Sequence, residues 1–139
     1  MNFKADLQFG QLYERIFIER ENMTNYKISE GNFKPYDIIN LDDNIKYEIK
    51  SDRMAFKTNN MCIEYICNKK LSGISTTEAD YYIYFVITND DYDIYKIPVE
   101  KIKSLINDKS KKIKSVKGGD NYKCQLYLIS LNEFSEYKC

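Results

Sequence analysis

Residues 36–50 read YDIINLDDNIKYEIK, and the fold that we expect for the chain depends mainly on this stretch. Residues 36–41 and 44–50 are rich in β-branched and aromatic side chains, which is typical of strands. Two acidic residues at positions 42 and 43 separate the two runs and predict a tight turn. The stretch therefore predicts an antiparallel hairpin.

Three polar side chains of this hairpin, Asp37, Glu48 and Lys50, are candidates for chemistry. Side chains alternate between the two faces of a strand, so Glu48 and Lys50 share one face. Asp37 stands at the start of the first strand, and the turn brings that strand back beside Glu48. A Glu-x-Lys pair alone is common on the wet face of a strand, so the inference depends on the second carboxylate.

Hydrophobic periodicity predicts further elements on both sides of the hairpin. Apolar residues recur at helical spacing in residues 6–21, which predicts an amphipathic helix, and a second helix is expected to follow Pro98. Strands are expected at residues 61–67, 80–87, 93–97 and 125–131, with 80–87 central in the sheet. These elements predict a single α+β domain, residues 1–139, with a mixed β-sheet flanked by helices.

The composition excludes several classes of function. No residue of the 139 is histidine, so a Ser-His-Asp triad, a Cys-His dyad and a histidine-ligated metal are excluded. The 21 basic and 21 acidic residues cancel, so nucleic-acid binding would depend on a local patch. The four cysteines lack C-x-x-C spacing and are expected to be reduced thiols. Without a membrane-spanning apolar run, a soluble intracellular or cytoplasmic protein with no membrane partner is expected.

Two converging carboxylates make an oxygen site that suits Mg²⁺ or Mn²⁺. Such an ion lowers the pKa of a bound water, and a neighbouring lysine can orient that water or offset charge on phosphorus. Asp37, Glu48 and Lys50 together would supply metal binding, nucleophile activation and charge stabilisation without histidine.

The order of these residues resembles the PD-(D/E)xK nuclease superfamily, which has the restriction-endonuclease-like fold. The signature is Asp37 followed by Glu48-Ile49-Lys50, with Tyr36 where the family often has proline. Residues 60–64 resemble the third core strand, and residues 72–82 are similar to a segment of phage and archaeal members. The resemblance covers roughly residues 6–106 and extends to small Holliday-junction-resolvase-like enzymes.

The resemblance implies roles by position. Asp37 and Glu48 match the metal-binding carboxylates, the backbone carbonyl of Ile49 matches a metal-coordinating position, and Lys50 matches the catalytic lysine. Glu14 in the first helix matches an additional acidic ligand of several members, although Glu19 and Glu21 lie nearby. Glu64 would support the site from the adjacent strand, and a salt bridge or plain exposure would explain it equally well.

Other residues are candidates for contacts with a nucleic-acid backbone. Asn60 and Ser72 are expected on loops, where they could reach phosphates or act as ordinary turn residues. A flexible basic loop is expected at residues 109–119, and a solvated surface run explains it equally well. Its candidate residues are Lys109, Lys111, Lys112, Lys114 and Lys117.

The resemblance implies a magnesium-dependent endonuclease that hydrolyses phosphodiester bonds in DNA and leaves 5′-phosphate and 3′-hydroxyl ends. The small bare core favours a junction-resolving or nicking enzyme that acts on double-stranded or branched DNA. Cutting two strands would favour a homodimer, because each core carries one active centre. Two alternatives remain, an inactive nucleic-acid-binding or protein-interaction module on the same fold and an RNA-cleaving nuclease.

Overall fold

The computed structural model describes residues 3–31 and 34–139, and the side chains of residues 3–7 and 120 lie outside that description. The three helices of this part are α1 (Phe3–Arg20), α2 (Ala55–Thr58) and α3 (Val99–Asn107). Its strands are β1 (Tyr26–Ile28), β2 (Ile38–Asn40), β3 (Ile45–Asp52), β4 (Asn60–Cys67), β5 (Lys70–Leu71), β6 (Tyr81–Ile87), β7 (Tyr92–Pro98), β8 (Lys114–Gly118) and β9 (Cys124–Ser130). The α+β class is therefore confirmed.

The strands form two sheets where the sequence predicts one. The first sheet is mixed, with the order β1-β2-β3-β6-β7, and its β3 and β6 run parallel. The second has the order β5-β4-β9-β8 and is antiparallel throughout. Strand β6 is interior to its sheet, as predicted, and its residues Tyr82–Val86 are all buried.

The strand after the hairpin, β4, belongs to the second sheet and does not extend the sheet that carries Glu48. The chain turns away directly after β3, where Asp52 Oδ1 accepts hydrogen bonds from the N–H groups of Met54 (2.8 Å) and Ala55 (3.0 Å). Strand β4 alternates between buried Met61 and Ile63 and exposed Cys62, so only one of its faces suits a core. Strand β6 is buried along its length and takes the place beside β3.

Two apolar clusters hold these layers together. Helix α1 packs on one face of the first sheet, where Phe17, Tyr47 and Phe85 are buried. The second sheet packs on the other face, where Tyr82 and Tyr84 meet residues of β4, β9 and α3. The first sheet is therefore buried on both faces over much of its area, which fixes the direction of every side chain on β3.

The predictions for the lysine-rich stretch and for the cysteines are wrong. The lysine-rich stretch forms a 3₁₀ turn at Lys109–Lys111 and then strand β8, because hydrogen bonding to β9 orders it at the sheet edge. Four reduced thiols were expected, but Cys67 and Cys124 form a disulfide. These two residues are direct partners in the β4–β9 ladder, with Cα atoms 4.0 Å apart, whereas Cys62 and Cys139 are free and exposed.

In the part of the chain that the structure describes, no helix is long and apolar enough to cross a membrane.

Candidate active site

The site is built around the hairpin of β2 and β3, which pair antiparallel as predicted. The turn at residues 41–44 closes with Asn44 at φ 62°, a conformation that asparagine tolerates better than most residues. Asp37 directly precedes β2, and Glu48 and Lys50 lie on β3. The hairpin therefore brings together the two strands that carry the predicted trio.

Asp37 is buried, with 5% of its surface exposed, and both of its carboxylate oxygens have partners. Oδ2 accepts a hydrogen bond of 2.7 Å from the N–H of Ile49, and Oδ1 lies 3.1 Å from Nζ of Lys34. Because β2 begins at Ile38, the Asp37 side chain continues the ladder and satisfies an N–H that would otherwise lack a partner. Asp37 therefore has a structural role besides any chemical one.

The backbone carbonyl of Ile49 faces the same edge of β3 as its N–H. The N–H and C=O of one residue leave a strand on the same side. Since the N–H of Ile49 points at Asp37, its carbonyl also leaves β3 on the side of Asp37. This placement is compatible with the metal-coordinating role that the resemblance implies.

Glu48 and Lys50 project from the face of the first sheet that meets the second sheet. They are paired with Tyr82 and Tyr84 of β6, whose side chains lie in the cluster between the sheets. Oε1 of Glu48 lies 3.4 Å from Nζ of Lys50. Burial raises the pKa of Glu48 to about 7; the Lys50 ammonium opposes the rise and the Asp37 carboxylate adds to it. Glu48 and Asp37 are therefore close enough to repel each other.

Glu14 joins this acidic group from α1. Its Oε1 lies 3.8 Å from Nζ of Lys34, and burial raises its pKa, with a further rise from the Asp37 carboxylate. Glu21, one of the two nearby alternatives to Glu14, forms a different ion pair, with its Oε1 4.0 Å from Nζ of Lys96. Three carboxylates, Glu14, Asp37 and Glu48, thus share one region with the ammonium groups of Lys34 and Lys50.

One of the three carboxylates, Glu48, lines a cleft of about 590 Å³ together with Lys50, Lys34 and Pro35. The β4–β5 hairpin and the segment after it form one wall of this cleft and contribute Glu64, Lys70 and Ser72 among others. A second cavity, of about 480 Å³, is lined by Lys50 and by Asp52, Arg53 and Tyr84 among others. Lys50 therefore lines two open spaces.

Of the supporting residues, Glu64 and Ser72 lie in the cleft and Asn60 does not. The carboxylates of Glu48, Glu64 and Asp37 add to the rise that burial causes in the pKa of Tyr82, so Glu64 faces the same region. The Oγ of Ser72 is buried and has no hydrogen-bond partner among the residues that the structure describes. Asn60 begins β4 opposite Ser130, so the loop expected there is wrong.

The five candidate lysines of the C-terminal half line none of this cleft. Lys111 forms an ion pair of 3.3 Å with Glu133, and Lys114 and Lys117 lie on β8, the edge strand of the second sheet. Lysines on an edge strand also discourage pairing with other chains. Lys109 and Lys112 lie in and after the 3₁₀ turn that leads to this strand. A role in substrate binding stays a prediction for all five.

Sequence reasoning missed two basic residues of the cleft, Lys34 and Lys70. Lys34 stands three residues before Asp37, and Lys70 begins the short strand β5. No sequence signal separates them from the other lysines of so lysine-rich a chain. Their place is set by the packing of the second sheet against the first.

The donor set suits a hard divalent ion, because it consists of carboxylate oxygens with a backbone carbonyl nearby. The three carboxylates are not packed as tightly as a closed site: only Glu64, Cys67 and Cys124 have ligand atoms all within 4.8 Å of one another in the described ranges. That trio is not a thiolate site, because the disulfide consumes both sulfurs.

No protein-family model matches this chain, and searches of curated proteins and of solved structures found no match either. Function must therefore be argued from the site itself.

Proposed function

We propose that this protein is a divalent-metal-dependent endonuclease that hydrolyses phosphodiester bonds in DNA. The observation that carries the proposal is the convergence of Glu14, Asp37 and Glu48, of which Glu48 lines an open cleft together with Lys50. These carboxylates come from α1, the start of β2 and β3, which are far apart in the sequence. The PD-(D/E)xK resemblance is consistent with this arrangement and supplies the choice of DNA as substrate.

In the proposed reaction, water attacks phosphorus and the bond to the 3′ oxygen breaks, which leaves 5′-phosphate and 3′-hydroxyl ends. Asp37 and Glu48, with Glu14 and the Ile49 carbonyl, would hold Mg²⁺ or Mn²⁺. When bound, the ion supplies Lewis acidity that activates water and offsets phosphoryl charge. Lys50, whose side chain is 43% exposed and lines the cleft, would orient the water or offset charge on the phosphate.

Glu48 must be ionised to act as a ligand, and its surroundings oppose ionisation in the metal-free protein. Proximity of Asp37 and loss of hydration both favour the protonated form. A cation that approaches both carboxylates reverses this preference.

A specific observation also favours the inactive binding module. Both oxygens of Asp37 are satisfied within the chain, by the Ile49 N–H and by Lys34. In that function Lys34 would neutralise the carboxylates permanently, and the lysines of the cleft would bind phosphates without cleaving them. The two functions differ in whether divalent ions matter.

A cleavage assay with and without Mg²⁺ tests the proposal on plasmid, single-stranded and four-way-junction DNA and on matched RNA. The variants are Glu48→Gln and Lys50→Ala, and Glu136→Gln is the matched control because Glu136 is exposed on the C-terminal 3₁₀ turn and does not line the cleft. We expect Mg²⁺-dependent cleavage of DNA by the wild type and the control. Each site variant should lose about 100-fold or more in single-turnover rate.

The substrates distinguish the alternatives. Binding that is indifferent to Mg²⁺, with no cleavage of any substrate, would establish the binding module. Cleavage of RNA but not DNA would identify the RNA nuclease. Linear product from plasmid in one binding event would support the homodimer, whereas nicked product alone would favour a monomeric nicking enzyme.

A further inference from the structure

Lys34 occupies a place in the acidic site that the proposed reaction does not explain. Its Nζ lies 3.1 Å from Oδ1 of Asp37 and 3.8 Å from Oε1 of Glu14. The ammonium therefore contacts two of the three carboxylates that the proposed function assigns to a divalent ion.

We propose that Lys34 is an internal counter-cation that a divalent ion displaces, and that the displaced ammonium then binds a phosphate of the substrate in the cleft. The inference rests on the proposed function, because it concerns the metal site of that reaction. Lys34 is thus a substrate-binding residue whose ammonium becomes available to a phosphate only after the ion has bound.

The first part of the exchange follows from the burial of Asp37. A buried carboxylate is costly unless a positive charge and hydrogen bonds compensate it. In the metal-free protein Lys34 supplies that charge. A divalent ion shared by the same carboxylates would be repelled by an ammonium only a few ångströms away. Because Oδ2 of Asp37 already accepts the N–H of Ile49, an ion that binds Asp37 through Oδ1 competes with Lys34 for that oxygen, whereas Lys50 pairs with Glu48.

The second part follows from how Lys34 is attached. The backbone beside it is fixed, because the carbonyl of Pro35 accepts hydrogen bonds from the N–H of Glu78 (2.8 Å) and from Oγ1 of Thr77 (3.3 Å). The lysine side chain is long and flexible, and 31% of it is exposed. It also lines the cleft that holds Lys50 and Lys70. Rotation of the side chain alone therefore moves the ammonium from the carboxylates to a wall suited to phosphate.

Titration of the full-length chain with Mn²⁺ by calorimetry tests the exchange without relying on activity. The variants are Lys34→Met, which keeps the aliphatic stem, and Lys34→Arg, which keeps the charge. Lys138→Met is the matched control, because Lys138 pairs with Asp93 at 3.5 Å away from the cleft. We expect Lys34→Met to bind Mn²⁺ about tenfold more tightly or better, with the arginine variant and the control near the wild type.

Thermal unfolding shows whether Lys34→Met folds and gives a second readout. In EDTA this variant should melt below the wild type, because Asp37 has lost its counter-charge, and Mn²⁺ should raise its melting temperature by more than it raises that of the wild type. In saturating Ca²⁺, Lys34→Met should bind duplex DNA several-fold more weakly. Tighter metal binding with weaker DNA binding is the signature of the exchange.

The outcomes separate this proposal from the proposed function. If the wild type binds Mn²⁺ and cleaves DNA but Lys34→Met binds Mn²⁺ no more tightly, the exchange is wrong and the nuclease stands. If neither protein binds Mn²⁺, both proposals fail. If Lys34→Met binds Mn²⁺ and the wild type does not, the exchange is supported and Lys34 prevents the ion from binding in the wild type.

Discussion

At the scale of single residues, two carboxylates of the site experience different surroundings. Asp37 is held in place on both oxygens, because Oδ2 accepts the N–H of Ile49 and Oδ1 lies beside the ammonium of Lys34. Glu48 lies beside that negative charge and is shielded from water, which favours its protonated form. The pair therefore combines a carboxyl group that is fixed by contacts within the chain with one whose charge state responds to its environment.

Two substitutions of Asp37 should separate its structural role from its proposed role as a metal ligand. Asp37→Ala leaves the N–H of Ile49 without its partner and should lower the free energy of unfolding by about 1–3 kcal/mol. Asp37→Asn keeps an acceptor oxygen and should lose less stability, yet it should lose divalent-ion binding as fully as the alanine variant. Urea unfolding and Mn²⁺ titration measure the two effects. Equal metal binding by Asp37→Asn and the wild type would contradict the role of Asp37 as a ligand.

The raised pKa of Glu48 predicts that the stability of the metal-free protein depends on pH. Its pKa is raised from 4.5 to about 7 on folding, so between these values the folded state holds a proton that the unfolded state has released. The contribution of Glu48 to stability should therefore fall as pH rises through this window. Above it, Glu48→Gln should be more stable than the wild type by about 1 kcal/mol or more, and below pH ~4.5 the two should match.

Urea unfolding in EDTA at both ends of this window measures the difference. Glu136→Gln, on the exposed C-terminal 3₁₀ turn, is a suitable control because it should shift stability alike at both pH values. A stability difference between Glu48→Gln and the wild type that does not change with pH would contradict the assignment.

At the scale of elements, the second sheet supplies one wall of the cleft. Its strands β4 and β9 are joined by the Cys67–Cys124 disulfide, and Cys67 lines the cleft. The bond lies where β4, the short β5 and the segment with Ser72 meet. Gly73 fits tightly there, because a Cβ at this position would lie 2.1 Å from the carbonyl oxygen of Glu64. The wall is therefore fixed by covalent and steric means.

Reduction of the disulfide should destabilise the protein. The bond links residues 57 positions apart, and closing a loop of that size restricts the unfolded chain. Dithiothreitol, or Cys67→Ser with Cys124→Ser, should lower the free energy of unfolding by about 2–4 kcal/mol in urea titrations. Cys62→Ser is the control, since Cys62 is free and exposed. Four titratable thiols in the unreduced folded protein would show that the bond does not form.

At the scale of the whole molecule, charge is balanced, so the proposed binding of DNA would depend on a local concentration of basic side chains. The 21 basic and 21 acidic side chains give a formal net charge of zero, so no global field attracts a polyanion. The three layers of α1, the first sheet and the second sheet nevertheless collect Lys34, Lys50 and Lys70 around one cleft. Binding of DNA should therefore have a modest and local electrostatic component.

The salt dependence of DNA binding measures that component. Three phosphate contacts predict a log–log slope of about −2 to −3 with duplex DNA. Lys70→Ala should flatten the slope by about one unit, whereas Lys114→Ala, on β8 outside the cleft, should leave it nearly unchanged. A slope much steeper than this, reduced equally by both variants, would show that the lysines of β8 and its approach also bind the backbone.

The local order along the chain could be predicted from the sequence alone. The β2–β3 hairpin, α1, the interior strand β6 and the α3 helix follow from periodicity, turn residues and β-propensity, which act over a few residues. Alternation along β3 places Glu48 and Lys50 on one face for the same reason. Asp37 could be placed beside them because a tight hairpin leaves few registers.

Only the tertiary structure decided which surfaces meet. The assignment of β4 to a second sheet, the pairing of Cys67 with Cys124 and the ordering of Lys114–Gly118 as an edge strand depend on contacts between distant segments. The same holds for Lys34 among the carboxylates and Lys70 across the cleft, since lysines in a lysine-rich chain look alike in sequence. Local propensity sets the direction of a side chain, whereas long-range burial sets its neighbours, and those neighbours determine charge, hydration and chemistry.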